Sequence, residues 1–491
     1  MPPLHIVVMQ PKGYIHSLGL LDHARYLRYQ FRRLGCEVGL AKNRLREDAL
    51  NIVFCAHRGF PAELTQRYAC VFVNLEQLGA DGAQMPPGYL ALLHQNPVID
   101  YDASHPAAYG RDAASVPLVW FGHAPYLQPV AAQAAPLAQR PIDLLFFGSV
   151  NPRRQAFLEK VQALGVKLTV VQEPLYGAER DALVLRAKAV LNCHAHASSR
   201  FEQARAFQCM SLGTPVISER TARTQAPGCY QDTVFWLDDD ARMAAFFQGF
   251  FGSPAYFEEA GTRLRQFQHS DPLPVYRHAL QLLQPWWTQW CTRRAAEPWV
   301  PRQIKLGAGD DYLPGWLHLD SVARHQPDIV LDLAQPQAWP LHTTNQWGVP
   351  VVLQAGQAEQ VYASGVLQRV ADLATLMDNV LQLLKVGGQF LVEVPCGKAT
   401  GPWPDPAQVR GFDASAWRWY TEHFADLGWL EHRFELALLS WLDEQLQPCQ
   451  PPAAAHMRVG LVKVATTPAE RSAARMSRPD FGGVEPDWPL A

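Results

Sequence analysis

The feature that most constrains this chain is a recurrence of short apolar runs separated by helix-length segments. The runs are "LHIVVMQ" (4–10), "NIVFCA" (51–56), "CVFVNL" (70–75), "DLLFFGS" (143–149), "KLTVV" (167–171), "AVLNCHA" (189–195) and "TPVISE" (214–219). β-Branched and aromatic residues dominate them. Runs of this kind are the pattern of parallel strands buried on both faces and joined by helices. The predicted class is therefore α/β, built from Rossmann-like domains. At 491 residues the chain exceeds what one core serves, so two or three domains are expected. A net charge of −3 argues against nucleic-acid or membrane-surface binding driven by bulk electrostatics. Nine cysteines without a CxxC spacing read as reduced thiols of a cytoplasmic protein. The start, "MPPLHIVVMQPKGY", reads as a first strand rather than a signal peptide. No apolar run approaches a membrane span.

Two breaks interrupt the pattern: "PVAAQAAPLAQRP" (129–141) and the Trp- and Pro-rich "QPWWTQWCTRRAAEPWVPR" (284–302). They predict domains over 1–135, 136–290 and 300–465, with a polar, Pro-rich tail over 466–491.

Three segments carry candidate chemistry. In "QPKGYIHSLGLLDHARYLRYQFRRLG" (10–35), Pro11 and Gly13 turn a strand into a helix whose start holds His16 and Ser17. Such a turn either binds an anion through free N–H groups or is a plain connection. "DLLFFGSVNPRRQAFLEKVQALG" (143–165) repeats the arrangement, with Gly148 and Ser149 in the turn and Asn151, Arg153 and Arg154 opening the helix. Two arginines at a helix start oppose the macrodipole, and a diphosphate docked there would offset that. In "RAKAVLNCHAHASSRFEQARAFQCMSLGTPVISE" (186–219), Glu202 and Arg205 lie three apart on a helix and can pair. They form either a simple ion pair or the lining of a cleft at the carboxyl end of the sheet. His194 and His196 would share one strand face with Cys193 opposite, a poor geometry for a metal. "LDDD" (237–240) reads as a helix cap or surface turn.

This last segment resembles the donor-binding half of GT-B glycosyltransferases, closest to the group 1 and spore-maturation-type enzymes with R-x-F-E-x-x-x-x-G near the turn. Here the string is Arg205-Ala-Phe207-Gln208 and then Gly213-Thr214-Pro215, so Gln208 stands where the family has its ribose-gripping glutamate. "NLEQL" (74–78), "VIDYDASHPAAY" (98–109), "FFGSVNPRR" and "AKAVLNCHA" extend the likeness over roughly the first 280 residues. The resemblance implies two Rossmann-like domains facing across a cleft, with the acceptor on the first and a nucleoside-diphosphate sugar on the second. It implies sugar transfer to a glycan or protein acceptor without a bound metal. On the donor side it implies Gly148, Ser149, Arg153, Arg154, Lys188 and Asn192, together with His194, Glu202, Arg205, Gln208 and Thr214. On the acceptor side it implies Gly13, Tyr14, His16, Ser17 and Glu76. Arg153, Arg154 and Lys188 would stabilise the leaving diphosphate, and His16, Asp100 or Asp102 would supply a base. The central expectation is a positively lined hollow shared by Arg153, Arg154 and Arg205 with Gly148 and Gly213.

Beyond residue 300, "QIKLGAGDDYLPGWLHLD" (303–320) is a strand, a Gly307-Ala308-Gly309 turn and a second strand ending at Asp320; Asp332 follows. A glycine turn lets backbone approach a ligand, and an acid at the next strand's end can accept ribose hydroxyls. With Pro314-Gly315-Trp316 and Lys385-Val386-Gly387-Gly388, this section resembles class I S-adenosylmethionine-dependent methyltransferases over roughly 300–465. The resemblance implies that Gly307, Gly309, Asp320 and Asp332 bind S-adenosylmethionine. Gln368 and Arg369 replace the family's Glu-His pair, so active and degenerate readings both stay open. Trp417, Trp419, Tyr420 and Trp429 read as core rather than as a sugar platform. Two rivals to glycosyl transfer remain: S-adenosylmethionine-dependent glycan methylation, and a non-catalytic glycan-binding scaffold.

Overall fold

The computed structural model describes residues 2–129, 135–293, 298–309, 311–397 and 405–477. The chain forms two compact units, Met1–Arg294 and Ala295–Ala491.

Unit 1 holds two parallel sheets. In the first, β1 (Leu4–Val8), β2 (Val38–Lys42), β3 (Leu50–Phe54), β4 (Cys70–Val73) and β5 (Val98–Ile99) lie in the order β2-β1-β3-β4-β5. β1, β3 and β4 are buried along their whole length, as their unalternating apolar composition requires. Helix α1 (Leu21–Arg33) packs on β1 and β2. In the second sheet, β6 (Ile142–Phe147), β7 (Leu168–Val171), β8 (Ala187–Asn192), β9 (Val216–Glu219) and β10 (Phe235–Leu237) repeat that order as β7-β6-β8-β9-β10. Its helices include α2 (Pro152–Ala163), α3 (Gly177–Val184) and α4 (Gln203–Ser211). In each sheet the order reverses at one place, between β1 and β3 and between β6 and β8. Ligands of doubly wound sheets bind at the carboxyl ends of the strands flanking such a reversal.

One apolar core runs through both halves of unit 1. Phe121 stacks on Phe207 at 5.1 Å, and Tyr26 meets Phe207 at 5.3 Å. Helix α5 (Leu273–Arg293) follows the second sheet and returns to α1, where Tyr276 packs on Tyr26 and Phe31. The break expected from residue 284 is thus helix as far as Arg293, with Pro285 inside it. An internal proline costs a helix about 3 kcal/mol; Trp286, Trp287 and Trp290 offset it by packing on the core. Of the other expected break, residues 130–134 lie outside the described residues.

Unit 2 is built on β11 (Gln303–Leu306), β12 (Leu317–Asp320), β13 (Ile329–Val330), a hairpin of β14 (Leu341–Thr344) and β15 (Pro350–Leu353), β16 (Ala358–Ser364), helix α6 (Leu373–Leu383), β17 (Leu384–Pro395), β18 (His432–Leu442) and β19 (His456–Ala465). The main sheet is ordered β13-β12-β11-β16-β17-β19-β18, parallel up to β17 and antiparallel beyond it. It is a third Rossmann-like sheet, with its own core. Trp417, Tyr420 and Trp429 are buried in that core, whereas Trp419 is exposed. Part of the expected tail is ordered: α7 (Pro468–Met476) is closed by a capping box between Thr467 and Glu470. Residues 478–491 lie outside the described residues.

Among the described residues no helix is long and apolar enough to cross a membrane. Nor does any group of three or more His, Cys, Asp or Glu among them suit a metal ion.

Candidate functional site

The reversal between β6 and β8 gathers a cluster of charged side chains. β6 runs into Gly148, whose φ of 126° lies where only glycine is unstrained. A Cβ there would stand 3.1 Å from Arg205 Nη2, so glycine also makes room for that guanidinium. Asn151 caps α2 by accepting from the Arg154 N–H at 2.9 Å, which aims the Arg154 side chain across the carboxyl edge. Arg154 donates to Ser149 O at 2.8 Å, to Cys193 O at 3.1 Å and to Glu202. Arg205, one turn into α4, donates to Asn192 Oδ1 at 2.7 Å and pairs with Glu202 Oε2 at 2.8 Å.

Glu202 therefore carries two guanidinium groups. Burial works to raise its carboxyl pKa, but Arg205 and Arg154 outweigh it and hold the group below the usual carboxylate range. One positive charge is left over. Arg205 Nε is buried with no hydrogen-bond partner, a vacancy that an anion's oxygen would fill. A cavity of ≈ 230 Å³ opens beside this cluster, lined by Arg154, His196 and Glu202 from the second half and by Glu76, Gln77 and Tyr101 from the first.

Arg153 faces elsewhere. Its guanidinium forms a bidentate pair with Glu219, at 2.9 and 2.5 Å, and donates to His194 O at 2.8 Å. That pair ties the ends of β8 and β9 together and leaves no surplus charge. Lys188 and Thr214 sit at the amino end of the sheet, the wrong end for a ligand. Lys188 pairs with Asp143 at 2.6 Å, and Thr214 bonds Arg140 and Val184 O. Gly213 is at that end too. Helix α4 carries the chain from one edge of the sheet to the other, roughly 14 Å for its nine residues. Of the residues expected to share one hollow, Arg154 lines the cavity; Gly148 and Arg205 stand against each other behind Glu202 and Arg154 without lining it, and Arg153 and Gly213 lie elsewhere. Gln208, further along α4, is turned toward Asp22 Oδ2 at 3.4 Å. Asp22 in turn pairs with Arg180 of α3 at 2.7 Å, a buried link between the halves. His194 is buried, its ring nitrogens within 2.8 Å of Arg200 O and 3.2 Å of Thr224 Oγ1.

On the first half, the carboxylates weighed as bases are consumed locally. Asp100 accepts from the N–H of Tyr101 and Asp102, from His105, Asn74 and Tyr109, which leaves it no free lone pair. Asp102 caps Ser104 and lies 3.5 Å from Arg200. His16 is exposed and reaches Tyr176 Oη at 2.6 Å, while Ser17 is buried and bonds Tyr14 O. Gly13 and Tyr14 line a separate open cavity with Lys12, His57 and Arg58. Glu76 is the carboxylate that faces the cavity between the halves. Burial raises its pKa and nearby Arg58 partly counters that. Tyr101 and Gln77 carried no individual signal in the sequence; their place just past a strand's carboxyl end was the available clue.

In unit 2 the corresponding reversal lies between β11 and β16. Gly307 (φ 78°) and Gly309 (φ 51°) shape the turn after β11, and a Cβ on Gly307 would meet Val366 Cγ2 at 2.6 Å. Asp320 ends β12 and faces this turn. Its Oδ2 accepts from Ala308 N at 3.0 Å and from His325 at 2.9 Å, and its Oδ1 from Val322 N at 2.8 Å. Oδ1 keeps an acceptor site for a hydroxyl. A glycine turn beside an acid that keeps an open acceptor suits a ligand carrying hydroxyl groups. Asp332 is exposed and bonds Ala334 N in its own turn. Gln368 Oε1 is buried without a donor, an acceptor that a ligand N–H or O–H would satisfy. Arg369 pairs with Asp405 at 2.7 Å.

No protein-family model matches the chain, and no curated protein matches it. Parts of it are similar to solved structures. One is a 16S rRNA (adenine(1408)-N(1))-methyltransferase from Catenulisporales acidiphilia, 15% identical, covering 36% of this chain and 90% of that one, TM-score 0.21. Another is an S-adenosylmethionine-dependent methyltransferase from Mesorhizobium loti, 16% identical, covering 36% and 96%, TM-score 0.20. A third is TarM, 11% identical, covering 54% of this chain and 58% of that one, TM-score 0.35.

Proposed function

We propose that unit 1 transfers a sugar from a nucleoside-diphosphate donor to a glycan or protein acceptor, and that unit 2 binds S-adenosylmethionine. The observation that carries the first reading is the surplus positive charge at Gly148, Arg154 and Arg205. It stands at a sheet's ligand-binding edge and beside a cavity that the other half closes. In such a transfer the bond from the sugar's anomeric carbon to the diphosphate breaks, and a bond to the acceptor oxygen forms. Negative charge grows on the leaving diphosphate, where Arg154 and Arg205 would take it up. The acceptor proton needs a base. Glu76 is the group suited to it, because it faces the cavity and its raised pKa makes it a better proton acceptor than an ordinary carboxylate. Arg153 serves as a positioning residue that holds the β8 and β9 ends.

The donor reading is tested by calorimetry with uridine and guanosine diphosphates. Binding by the wild type and a loss of about tenfold or more in Arg205→Gln support it. Failure of every nucleoside diphosphate to bind at millimolar concentration would reject it.

For unit 2, bound S-adenosylmethionine supplies an electrophilic methyl group. The glycine turn would let backbone lie against the cofactor, and Asp320 would accept from its ribose. S-Adenosylhomocysteine should bind the wild type and bind Asp320→Ala at least tenfold more weakly. Equal affinity would remove Asp320 from the site.

A further inference from the structure

The open cavity on the first half of unit 1 belongs to neither site above. It has a volume of ≈ 470 Å³ and is lined by Pro11, Lys12, Gly13, Tyr14, His57 and Arg58. Its place is the carboxyl end of β1 and β3, the strands that flank the first sheet's reversal. That is the counterpart, on the first sheet, of the Gly148 edge on the second.

Four features suit it to an oxyanion. Among the described residues neither Lys12 nor Arg58 has an ion-pair partner, while most arginines of unit 1 are tied to carboxylates. Arg58 lies over the Tyr14 ring at 4.2 Å, which fixes the guanidinium while leaving its N–H edge open. The backbone is also bent to present these groups. Cys55 (φ 63°) and Gly59 (φ 101°) bracket the short turn Ala56–Arg58 in left-handed conformations. A non-glycine residue held there is strained, and such strain gathers at functional sites. Finally, His57 connects the two cavities. It lines this one, and its Nδ1 stands 3.5 Å from Glu76 Oε1, which lines the other.

We infer that Lys12, Arg58 and His57 form a phosphate-binding site on the first half, which holds a phosphomonoester on the acceptor while the acceptor's nucleophile extends toward Glu76. Two cations and a ring N–H match the charge and donor count that a phosphate dianion takes. The acceptor assignment rests on the glycosyl-transfer reading, whereas the oxyanion site does not.

The test titrates inorganic phosphate into the full-length protein, followed by phosphorus NMR. Lys12 and Arg58 are exposed, so Lys12→Gln and Arg58→Gln leave the core intact. Each should weaken phosphate by about tenfold, and Arg205→Gln should not. Phosphate lost in Arg205→Gln but kept in Arg58→Gln would move the anion to the donor edge and overturn the inference. So would absence of saturable binding while nucleoside diphosphates still bind, or an equal response to acetate. Failure of nucleotide binding alone, with the Arg58-dependent phosphate site intact, would reject only the donor reading. A second arm measures nucleotide release with glycerol phosphate against glycerol as acceptor. A preference of about tenfold in kcat/KM that Arg58→Gln abolishes supports the acceptor assignment; equal turnover overturns it.

Discussion

At the scale of single residues, unit 1 divides its charges into those that are balanced and those that are not. Arg153 with Glu219, and Lys188 with Asp143, cancel; Arg154 and Arg205 share one glutamate and do not. The sequence singled out Arg153, Arg154, Lys188, Glu202 and Arg205 but not Glu219 or Asp143, and could not tell the two kinds apart, because pairing across strands depends on which ends meet. Glu76 is where a residue-scale prediction is sharpest. Its burial-raised pKa means the carboxylate form, needed to accept a proton, appears only as pH climbs past the ordinary glutamate range. The rate should therefore rise with pH through that elevated value. Glu76→Gln should lower kcat by about a hundredfold or more with nucleotide affinity unchanged. A variant that keeps its rate, or that loses affinity instead, would take Glu76 out of the base role. Asp100, one of the sequence's three candidates with His16 and Asp102, is excluded from that role by five hydrogen bonds that use up its oxygens.

At the scale of elements, the glycine turns after β6 and β11 do parallel work. Each turns the chain at a sheet's reversal in a conformation that an L side chain resists, and each lets a neighbour come close. Gly307 is the more crowded, with Val366 Cγ2 2.6 Å from where a Cβ would be. Gly307→Ala should therefore destabilise unit 2 by about 1–3 kcal/mol, seen as a lower midpoint in denaturant, and should weaken S-adenosylhomocysteine as well. All seven apolar runs picked from the sequence are strands. In unit 1 those it passed over are the edge or end strands β2, β5 and β10; in unit 2 it passed over β13 to β16, β18 and β19. β5 has only two residues and β10 three, too short for periodicity to register. Composition misjudged the second half of α5, read as a break because it is dense in Trp, Pro and Arg, and α7, read as tail; packing in one case and a capping box in the other decided them.

At the scale of the whole molecule, two units with separate cores need not unfold as one. Calorimetric unfolding should resolve two transitions, with nucleoside diphosphate raising one and S-adenosylhomocysteine the other. A single transition shifted equally by both ligands would contradict independent units. Unit 1 also carries an acid sensitivity. Burial lowers His5, His23 and His57 from 6.5 to about 4. The unfolded chain therefore takes up protons first as pH falls, and stability declines between pH 6.5 and about 4. The slope approaches about 1.4 kcal/mol per pH unit for each histidine. Denaturant titrations across that range should show it, and His23→Phe should flatten it; a slope unchanged in that variant would assign the proton uptake elsewhere.

The amino-acid sequence by itself determined the α/β class, the strands buried on both faces, the glycine turns at their ends and the presence of a distinct third Rossmann-like section. These follow from local composition, because short β-branched runs suit inner strands buried on both faces; β7, an edge strand that is only half-buried, departs from that expectation. Tertiary structure alone decided which arginines remain in excess, that Gly213 lies a helix length away from Glu202, and that Glu76 rather than Asp100 meets the cavity. Those outcomes turn on which strand ends face one another and on which carboxylate already has its hydrogen bonds, and neither quantity is carried by any single segment.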